Sequence, residues 1–123
     1  MKYYVCEHCG NIVEYVKESG VPVMCCGQKM TEMVPGTSDG AHEKHVPVIK
    51  QEGDMVVVEV GSVEHPMVEA HYIEWITLET TKGVHRMKLN FTDKPKAAFK
   101  LVEGEEVVAA YEHCNLHGLW KSN

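Results

Sequence analysis

Residues 107–118 read Val-Val-Ala-Ala-Tyr-Glu-His-Cys-Asn-Leu-His-Gly, an apolar run that ends in a cysteine and a histidine three positions apart. Residues 107–113 have the length and the apolar content of a β-strand, and the residues after them read as a loop. A Cys-x2-His pair in such a loop can place a thiolate and an imidazole on one metal ion. Alone the pair is weak evidence, so its meaning depends on the histidines further upstream.

Upstream of this run, short β-like segments alternate with turns. We predict six strands, at residues 46–50, 55–60, 71–80, 84–91, 97–102 and 107–113. The segments between them, such as 51–54 and 103–106, contain turn-forming residues. In the fourth strand Met87, Leu89 and Phe91 alternate with polar residues, which predicts one dry face. Short strands separated by turns favour a mainly β chain with an immunoglobulin-like antiparallel β-sandwich.

Composition and charge limit the class of protein. The 123 residues are 44% hydrophobic and 24% charged, so a buried core is feasible. The net charge is −6 and the basic residues are scattered, which argues against nucleic-acid binding. The start, Met-Lys-Tyr-Tyr-Val-Cys, has no apolar signal segment, and no apolar run approaches the ~20 residues of a membrane span. We therefore expect a soluble, cytoplasmic protein without a membrane partner.

The segment from Pro35 to Gly40 collects residues that favour turns. We place a linker at residues 36–40, between a small domain at 1–35 and a larger one at 41–123. Four of the five cysteines lie in the small domain: Cys6, Cys9, Cys25 and Cys26. In a reducing cytoplasm such cysteines indicate a metal site, and four soft thiolates select zinc or iron. A segment this short buries little apolar surface, so the metal should contribute much of its folding free energy.

The adjacency of Cys25 and Cys26 distinguishes two interpretations of this site. A structural zinc ribbon is one of them. However, two neighbouring residues that bind one ion should distort its tetrahedron. The pattern resembles desulforedoxin, a small protein with one iron bound by four cysteines, and this resemblance favours iron.

The order of the predicted strands indicates where the remaining candidate ligands meet. If every connection reverses the chain direction, the starts of odd strands and the ends of even strands share one edge. That edge receives five candidate ligands: His45, His65, His71, Cys114 and His117. His85 begins the fourth strand and falls at the other end, whereas His42 and His113 are not excluded.

Four imidazoles and one thiolate suit a late first-row ion such as ferrous iron. Five protein ligands leave one octahedral position open, which a catalytic site needs. If the nitrogens form a plane, the thiolate lies opposite the open position and donates electron density along that axis. Glu43 and Lys44 directly precede His45. The carboxylate can fill the open position in the absence of substrate and the ammonium can attract an anion, or both are ordinary exposed charges.

With these motifs the chain resembles desulfoferrodoxin, the two-iron form of superoxide reductase, over essentially its whole length. The matching residues are Cys6-x2-Cys9, Cys25-Cys26, Glu43-Lys44-His45, His65, His71 and Cys114-x2-His117. The resemblance implies two mononuclear non-haem irons per chain. One would be bound by the four N-terminal cysteines, and the other by the four histidines in a plane with Cys114 on the axis.

The resemblance also implies an activity, the one-electron reduction of superoxide to hydrogen peroxide, with Glu43 and Lys44 acting at the open position. It further implies an external electron donor such as rubredoxin, and a homodimer. Three other interpretations stay open from the residues alone. They are a non-catalytic iron electron-transfer protein, a zinc-stapled binding module, and a superoxide dismutase that releases oxygen.

Overall fold

The structure is a computed structural model that describes all residues, 1–123. It divides into two compact units, Met1–Val34 and Pro35–Asn123. Residues 36–40 lie within the second unit, and their assignment as a linker stays a prediction. No helix of the structure has both the length and the apolar character that crossing a membrane requires.

The first unit consists of short strands and turns. Its strands are β1 (Tyr3–Val5), β2 (Ile12–Glu14), β3 (Met24–Cys25), β4 (Gln28–Lys29) and β5 (Thr31–Glu32). They form a three-stranded antiparallel sheet in the order β2-β1-β5 and a separate β3–β4 ribbon. Tyr3, Cys6 and Met30 are its buried residues. So small a core cannot offset the entropy of ordering the segment, which agrees with a metal-stapled module.

The second unit is a β-sandwich preceded by a single helical turn. Its elements are α1 (His42–His45), β6 (Pro47–Glu52), β7 (Met55–Val60), β8 (Ile73–Thr80), β9 (Gly83–Lys88), β10 (Lys96–Lys100), β11 (Val107–Cys114) and β12 (Gly118–Lys121). One antiparallel sheet has the order β10-β7-β6 and the other the order β12-β11-β8-β9. The predicted fold class, a four-cysteine module followed by an antiparallel β-sandwich, is confirmed.

The core lies between the two sheets and follows the alternation of each strand. Val56, Val58 and Val60 project inward from β7. Ala97 and Phe99 join them from β10 of the same sheet. The other sheet and the segments next to the strands contribute the rest of the cluster: Ile73, Ile76, Leu78, Leu89, Leu101, Ala110 and Cys114. Cys114 is therefore both the last residue of β11 and a member of the apolar core.

The structure differs from the predicted strands in three places. A seventh strand, β12, pairs with β11 after a tight turn, and its four residues are too few to give a clear pattern. Glu74 is an extra residue in the β8–β11 pairing, because Trp75 faces His113 while Ile73 faces Cys114. This bulge directs both Ile73 and Ile76 into the core. The dry face predicted for the fourth strand is found only at Leu89, which is buried in the core but lies beyond the end of β9 at Lys88, whereas Met87 is 39% exposed.

Candidate metal centres

The first pair of cysteines lies in a tight turn after β1. The backbone N–H of Gly10 donates to the carbonyl oxygen of Cys6 at 2.8 Å. The backbone N–H of Cys9 donates to the Cys6 sulfur at 3.5 Å. Gly10 has a φ of 83°, in the left-handed region that favours glycine. The turn therefore brings two thiol groups to the same side of the chain.

The second pair lies where β3 enters the two-residue turn, Cys26-Gly27, that leads to β4. Cys25 is the last residue of β3, while Cys26 and Gly27 have φ values of 53° and 75°. Two successive residues with positive φ define the tight hairpin turn whose twist suits paired strands. Cys26 thus adopts a conformation that is uncommon for a residue with a side chain. This turn explains how adjacent cysteines can both reach one ion.

The four sulfur atoms converge. They all lie within 4.8 Å of one another, and those of Cys9 and Cys25 are 3.6 Å apart. A tetrahedron with metal–sulfur bonds of about 2.3 Å has edges of about 3.8 Å. The backbone N–H of Cys9 lowers the pKa of Cys6 to about 6, whereas hydrogen bonds with Cys9 and Cys6 raise that of Cys26 to about 12. Four thiolates this close together repel one another, so all four cysteines ionise only when a cation lies between them. The cluster therefore fits a metal ion bound by four thiolates.

The second group gathers at one end of the sandwich. His45 is the last residue of α1, His65 lies in the loop after β7, and His71 lies shortly before β8. Cys114 ends β11, and His117 lies in the turn before β12. The ligand atoms of the first three histidines and Cys114 all lie within 4.8 Å of one another. The Nδ1 atom of His117 is 3.1 Å from Nε2 of His45. The structure thus brings together all five residues that the sequence placed at this edge.

The four imidazole rings form a square. Its sides, measured between ring centroids, are 4.7 Å for His45–His65, 4.6 Å for His65–His71, 5.1 Å for His71–His117 and 4.9 Å for His117–His45. The His45 and His71 centroids are 6.4 Å apart, so these two rings lie at opposite corners. His45 Nε2 is 3.2 Å from His65 Nε2, close to the about 3 Å between neighbouring nitrogens at bond lengths near 2.1 Å.

The sulfur of Cys114 lies against the square on the core side. It is 3.5 Å from Nε2 of His65 and 3.9 Å from Nδ1 of His117, the two remaining corners. Cys114 is fully buried, whereas His71 and His117 are partly exposed. The sulfur would therefore bind an ion from the buried side of the square, and the opposite side is the one nearer to solvent.

Hydrogen bonds fix which ring nitrogens can bind an ion. Nδ1 of His45 is 2.7 Å from the carbonyl oxygen of Ala41, and Nδ1 of His65 is 2.7 Å from that of Pro66. A carbonyl only accepts, so each Nδ1 carries the hydrogen and each Nε2 presents its lone pair. Nε2 of His71 is buried and has no hydrogen-bond partner. The ring nitrogens of these histidines thus face one another with lone pairs and no proton between them. This arrangement fits a cation at the centre of the square.

Burial sets the protonation of these groups. It is the main cause of the lowered pKa values of His45 and His71, and it lowers that of His65 to about 4. For His71 the charges of His117 and Lys44 act in the same direction. Burial raises the pKa of the Cys114 thiol. The imidazoles of His45, His65 and His71 are therefore neutral and ready to bind, and the Cys114 thiolate forms with the help of a bound cation.

Glu43 and Lys44 form the exposed part of α1 beside the square. The effect of the Lys44 charge on the pKa of His71 shows that the ammonium lies within electrostatic reach of the centre. The carbonyl oxygen of Glu43 accepts hydrogen bonds from the Val63 N–H at 2.8 Å and the Ser62 hydroxyl at 3.2 Å. These bonds attach α1 to the loop after β7, which also provides His65.

Two glycines that sequence reasoning did not assign to the site leave room for α1. A Cβ atom on Gly61 would lie 2.7 Å from the carbonyl oxygen of Glu43, and one on Gly40 would lie 2.9 Å from the His45 ring. Trp120 also supports the site: its ring stacks on His45 at 4.9 Å, and its Nε1–H donates to the carbonyl oxygen of His117. The sequence around Gly40, Gly61 and Trp120 contains no pattern from which these contacts could be predicted.

The other histidines of this unit make separate contacts. His42 packs against the Trp120 ring, and His113 is 2.8 Å from the carboxylate of Glu74. His85 contacts Glu105, at the end of the sandwich where the sequence placed it. His42 and His113, which strand order did not exclude, therefore lie outside the square.

Known proteins share both units. A sequence model of a family described as desulfoferrodoxin matches residues 37–123. A desulfoferrodoxin homolog of Archaeoglobus fulgidus is 50% identical over 122 residues, covering 99% of this chain and 96% of the relative. A desulfoferrodoxin of Nitratidesulfovibrio vulgaris is 50% identical over 119 residues, covering 97% and 93%. The crystal structure of the superoxide reductase from Treponema pallidum matches with a TM-score of 0.83 and 36% identity, covering 99% of this chain and 98% of that one.

The donor sets agree with these similarities. One group offers four thiolates, and the other offers imidazoles and one thiolate, so each suits a mononuclear non-haem iron. The two clusters, the fold and the extent of the sequence similarity lead to one conclusion: the chain belongs to the desulfoferrodoxin family.

Proposed function

We propose that this protein is a superoxide reductase. The reaction joins one superoxide anion, one electron from ferrous iron and two protons to give hydrogen peroxide, and no oxygen is released. Membership of the desulfoferrodoxin family and the similarity to a superoxide reductase of known structure support this proposal. The proposed ligands of the reactive iron are His45, His65, His71, Cys114 and His117. The proposed ligands of the other iron are Cys6, Cys9, Cys25 and Cys26.

The single observation that carries the proposal is the asymmetry of the histidine square. One side is closed by the buried sulfur of Cys114, whereas two of the four rings, His71 and His117, are partly exposed to solvent. Five donors on an ion that accepts six leave that outer side for a substrate. An iron held in the square supplies the electron and the coordination position for superoxide. A purely structural centre has no need of such a vacancy.

The roles of the surrounding residues follow from their chemistry. The Cys114 thiolate would hold the iron from the buried side and donate electron density to it, which would favour protonation and release of the reduced product. The Lys44 ammonium attracts the superoxide anion to a chain whose net charge is −6. The Glu43 carboxylate, on the same exposed turn, occupies the open side when no substrate is bound. Glu43 and Lys44 thus act at the rim and not as permanent ligands.

The proposal also covers the electron donor, the oligomeric state and the location of the protein. A small iron protein such as rubredoxin returns the electron, the chain works as a homodimer, and its location is the cytoplasm. All five cysteines are free thiols, as metal binding in a reducing compartment requires. Oxidation of reduced rubredoxin coupled to superoxide consumption tests the donor. Sedimentation tests the homodimer.

Pulse radiolysis of the iron-loaded protein is the direct test. We expect stoichiometric loss of superoxide at the ferrous centre, one peroxide per superoxide and no oxygen. Oxygen among the products would identify a dismutase, and redox activity without superoxide loss would identify an electron carrier. A colourless protein that contains zinc and no iron would identify a binding module.

Lys44→Ala tests the steering step. We expect the second-order rate with superoxide to fall about tenfold and to depend less on ionic strength. The matched control is Lys82→Ala, which removes an exposed lysine from the β8–β9 turn at the other end of the sandwich. Steering by Lys44 is wrong if both variants keep the wild-type rate and the wild-type salt response.

A further inference from the structure

The side chain of Asn115 joins the two loops that carry His71 and Cys114. Its Oδ1 atom accepts a hydrogen bond from the backbone N–H of Tyr72 at 2.9 Å. Its Nδ2 atom donates to the carbonyl oxygen of Ala70 at 3.1 Å. The backbone N–H of Asn115 donates to the carbonyl oxygen of Tyr72 at 3.2 Å. Three hydrogen bonds therefore hold the residues on both sides of His71.

Only an amide of this length fulfils both side-chain roles. Aspartate offers no donor for the Ala70 carbonyl, and alanine offers neither group. Glutamine has the same amide, but its additional methylene places that amide further from the backbone of residues 70–72. The chemistry of the contact thus explains why asparagine, and not merely a polar turn residue, stands directly after Cys114.

The backbone of His71 pairs with Val68 through hydrogen bonds of 3.0 and 3.1 Å, but the His71 ring lacks the bond to a backbone carbonyl that holds two of the other rings. Backbone carbonyl groups hold the rings of His45 and His65 through Nδ1. The carbonyl oxygen of His117 accepts hydrogen bonds from Trp120 and Ser38. The His71 ring has a buried Nε2 without a partner and is only partly buried. Its position is therefore determined by the backbone of its own short loop.

We propose that Asn115 is a positioning residue that sets the place of His71 in the metal square by clamping residues 70–72 to the loop after Cys114. It acts through His71 and does not touch the ion. This inference rests on the proposed function in taking His71 as a ligand of the reactive iron. Outer contacts of this kind fix the orientation of metal-binding histidines, and their loss typically weakens metal binding about ten- to hundredfold.

Amide hydrogen exchange tests the clamp without reference to activity. The full chain is loaded with zinc, and exchange of the Tyr72 N–H is followed by NMR. We expect exchange at Tyr72 to accelerate at least about tenfold in Asn115→Ala, because its acceptor is lost. Asn115→Asp keeps that acceptor and should keep the protection. Wild-type protection of Tyr72 in Asn115→Ala would overturn the proposal.

A double-mutant cycle tests whether the effect passes through His71. Cobalt(II) is titrated into the metal-free full chain, and absorption bands that differ between an all-thiolate site and a histidine-rich site report each centre separately. We expect Asn115→Ala to raise the dissociation constant of the histidine-rich centre about tenfold in the wild-type background. In a His71→Ala background the same change should be less than about twofold, because the ligand that it positions is already absent.

Controls separate positioning from general destabilisation. Gln51→Ala removes an exposed amide that donates to the carbonyl oxygen of Gly53 in the distant β6–β7 turn, and it should leave both centres unchanged. Asn115→Gln repeats the cycle with a variant that keeps an amide, in case the alanine variant is poorly folded. The inference is wrong if either Asn115 variant lowers affinity equally in both backgrounds, or in neither. These measurements involve no superoxide, so their failure is distinct from failure of the proposed reaction.

Discussion

Replacing Gly61 by alanine should disturb the reactive centre through the backbone of α1. An added Cβ would lie 2.7 Å from the carbonyl oxygen of Glu43, 2.9 Å from the carbonyl carbon of Lys44 and 3.2 Å from the backbone nitrogen of His45. All three are backbone atoms, so no side chain can rotate away. Gly61 is not among the glycines with positive φ, so the expected effect of alanine is the steric crowding and not a left-handed backbone conformation.

The contact distances set the size of the effect. Nonbonded carbon contacts are most favourable at about 3.5 Å, so the Lys44 carbonyl carbon, at 2.9 Å, must retreat by roughly 0.6 Å and α1 must move with it. Overpacking of this kind costs about 1–3 kcal/mol of unfolding free energy. His45 Nε2, which lies 3.2 Å from His65 Nε2 and 3.1 Å from His117 Nδ1, would move with the turn. Metal–ligand distances tolerate only about 0.2 Å, so the histidine square should lose its geometry.

Urea unfolding and the visible spectrum of the iron-loaded protein measure both consequences. We expect a lower unfolding midpoint and a shifted or weakened absorption of the histidine-rich centre, while the four-cysteine centre of the same molecule serves as an internal reference. Ser62→Ala is the comparison variant, because it weakens the attachment of α1 by removing the hydroxyl bonded to the Glu43 carbonyl but adds no atom, and it thus separates lost attachment from steric crowding. If Gly61→Ala kept wild-type stability within about 0.5 kcal/mol and an unchanged spectrum, the steric reasoning would be refuted.

Three more changes have defined outcomes. Cys114→Ser should abolish thiolate-to-iron charge-transfer absorption of the oxidised histidine-rich centre, and persistence of that band would remove Cys114 from the coordination sphere. Hydrogen bonds from Thr80, His85 and the backbone of Val102 lower the pKa of Glu105 from 4.5 to about 2. Its stabilising contribution is therefore complete above about pH 4.5 and is lost as the pH falls towards 2, and Glu105→Gln should flatten this part of an acid titration of the urea midpoint. Removal of both metals should expose residues 1–34 to protease while 35–123 stay protected, because only the second unit has an extensive apolar core; equal cleavage of both units would contradict this.

Much of the sandwich could be predicted because its strands obey simple periodicity. Residues 55–60 alternate between buried valines and more exposed neighbours, and the observed β7 has the predicted bounds. Antiparallel pairing of β6 with β7 and of β8 with β11 then places the candidate ligands at one end, as strand order indicated. Strand parity is a topological property, so errors of one or two residues in the bounds do not affect it.

The remaining features depend on contacts that no local pattern contains. The bulge at Glu74 becomes visible only through the partners of Trp75 and Ile73 on β11. The Asn115 side chain bonds to residues more than forty positions away, and its type alone suggests only a turn. The residue type predicts the backbone conformation of Asn115. Its hydrogen-bond partners depend on which loops lie next to each other in the folded chain.

The place of Cys114 connects the stability of the sandwich with its chemistry. His45 and His65 flank the strand pair β6–β7 of one sheet, whereas His71 precedes β8 and Cys114 ends β11 of the other. An ion bound by these residues therefore links the two sheets at their open end. The Cys114 sulfur is buried in the apolar core, where an unpaired thiolate would be costly. A cation removes that cost and keeps the thiolate ionised, so the group that tunes the iron is held in its charged form by the ion that it binds.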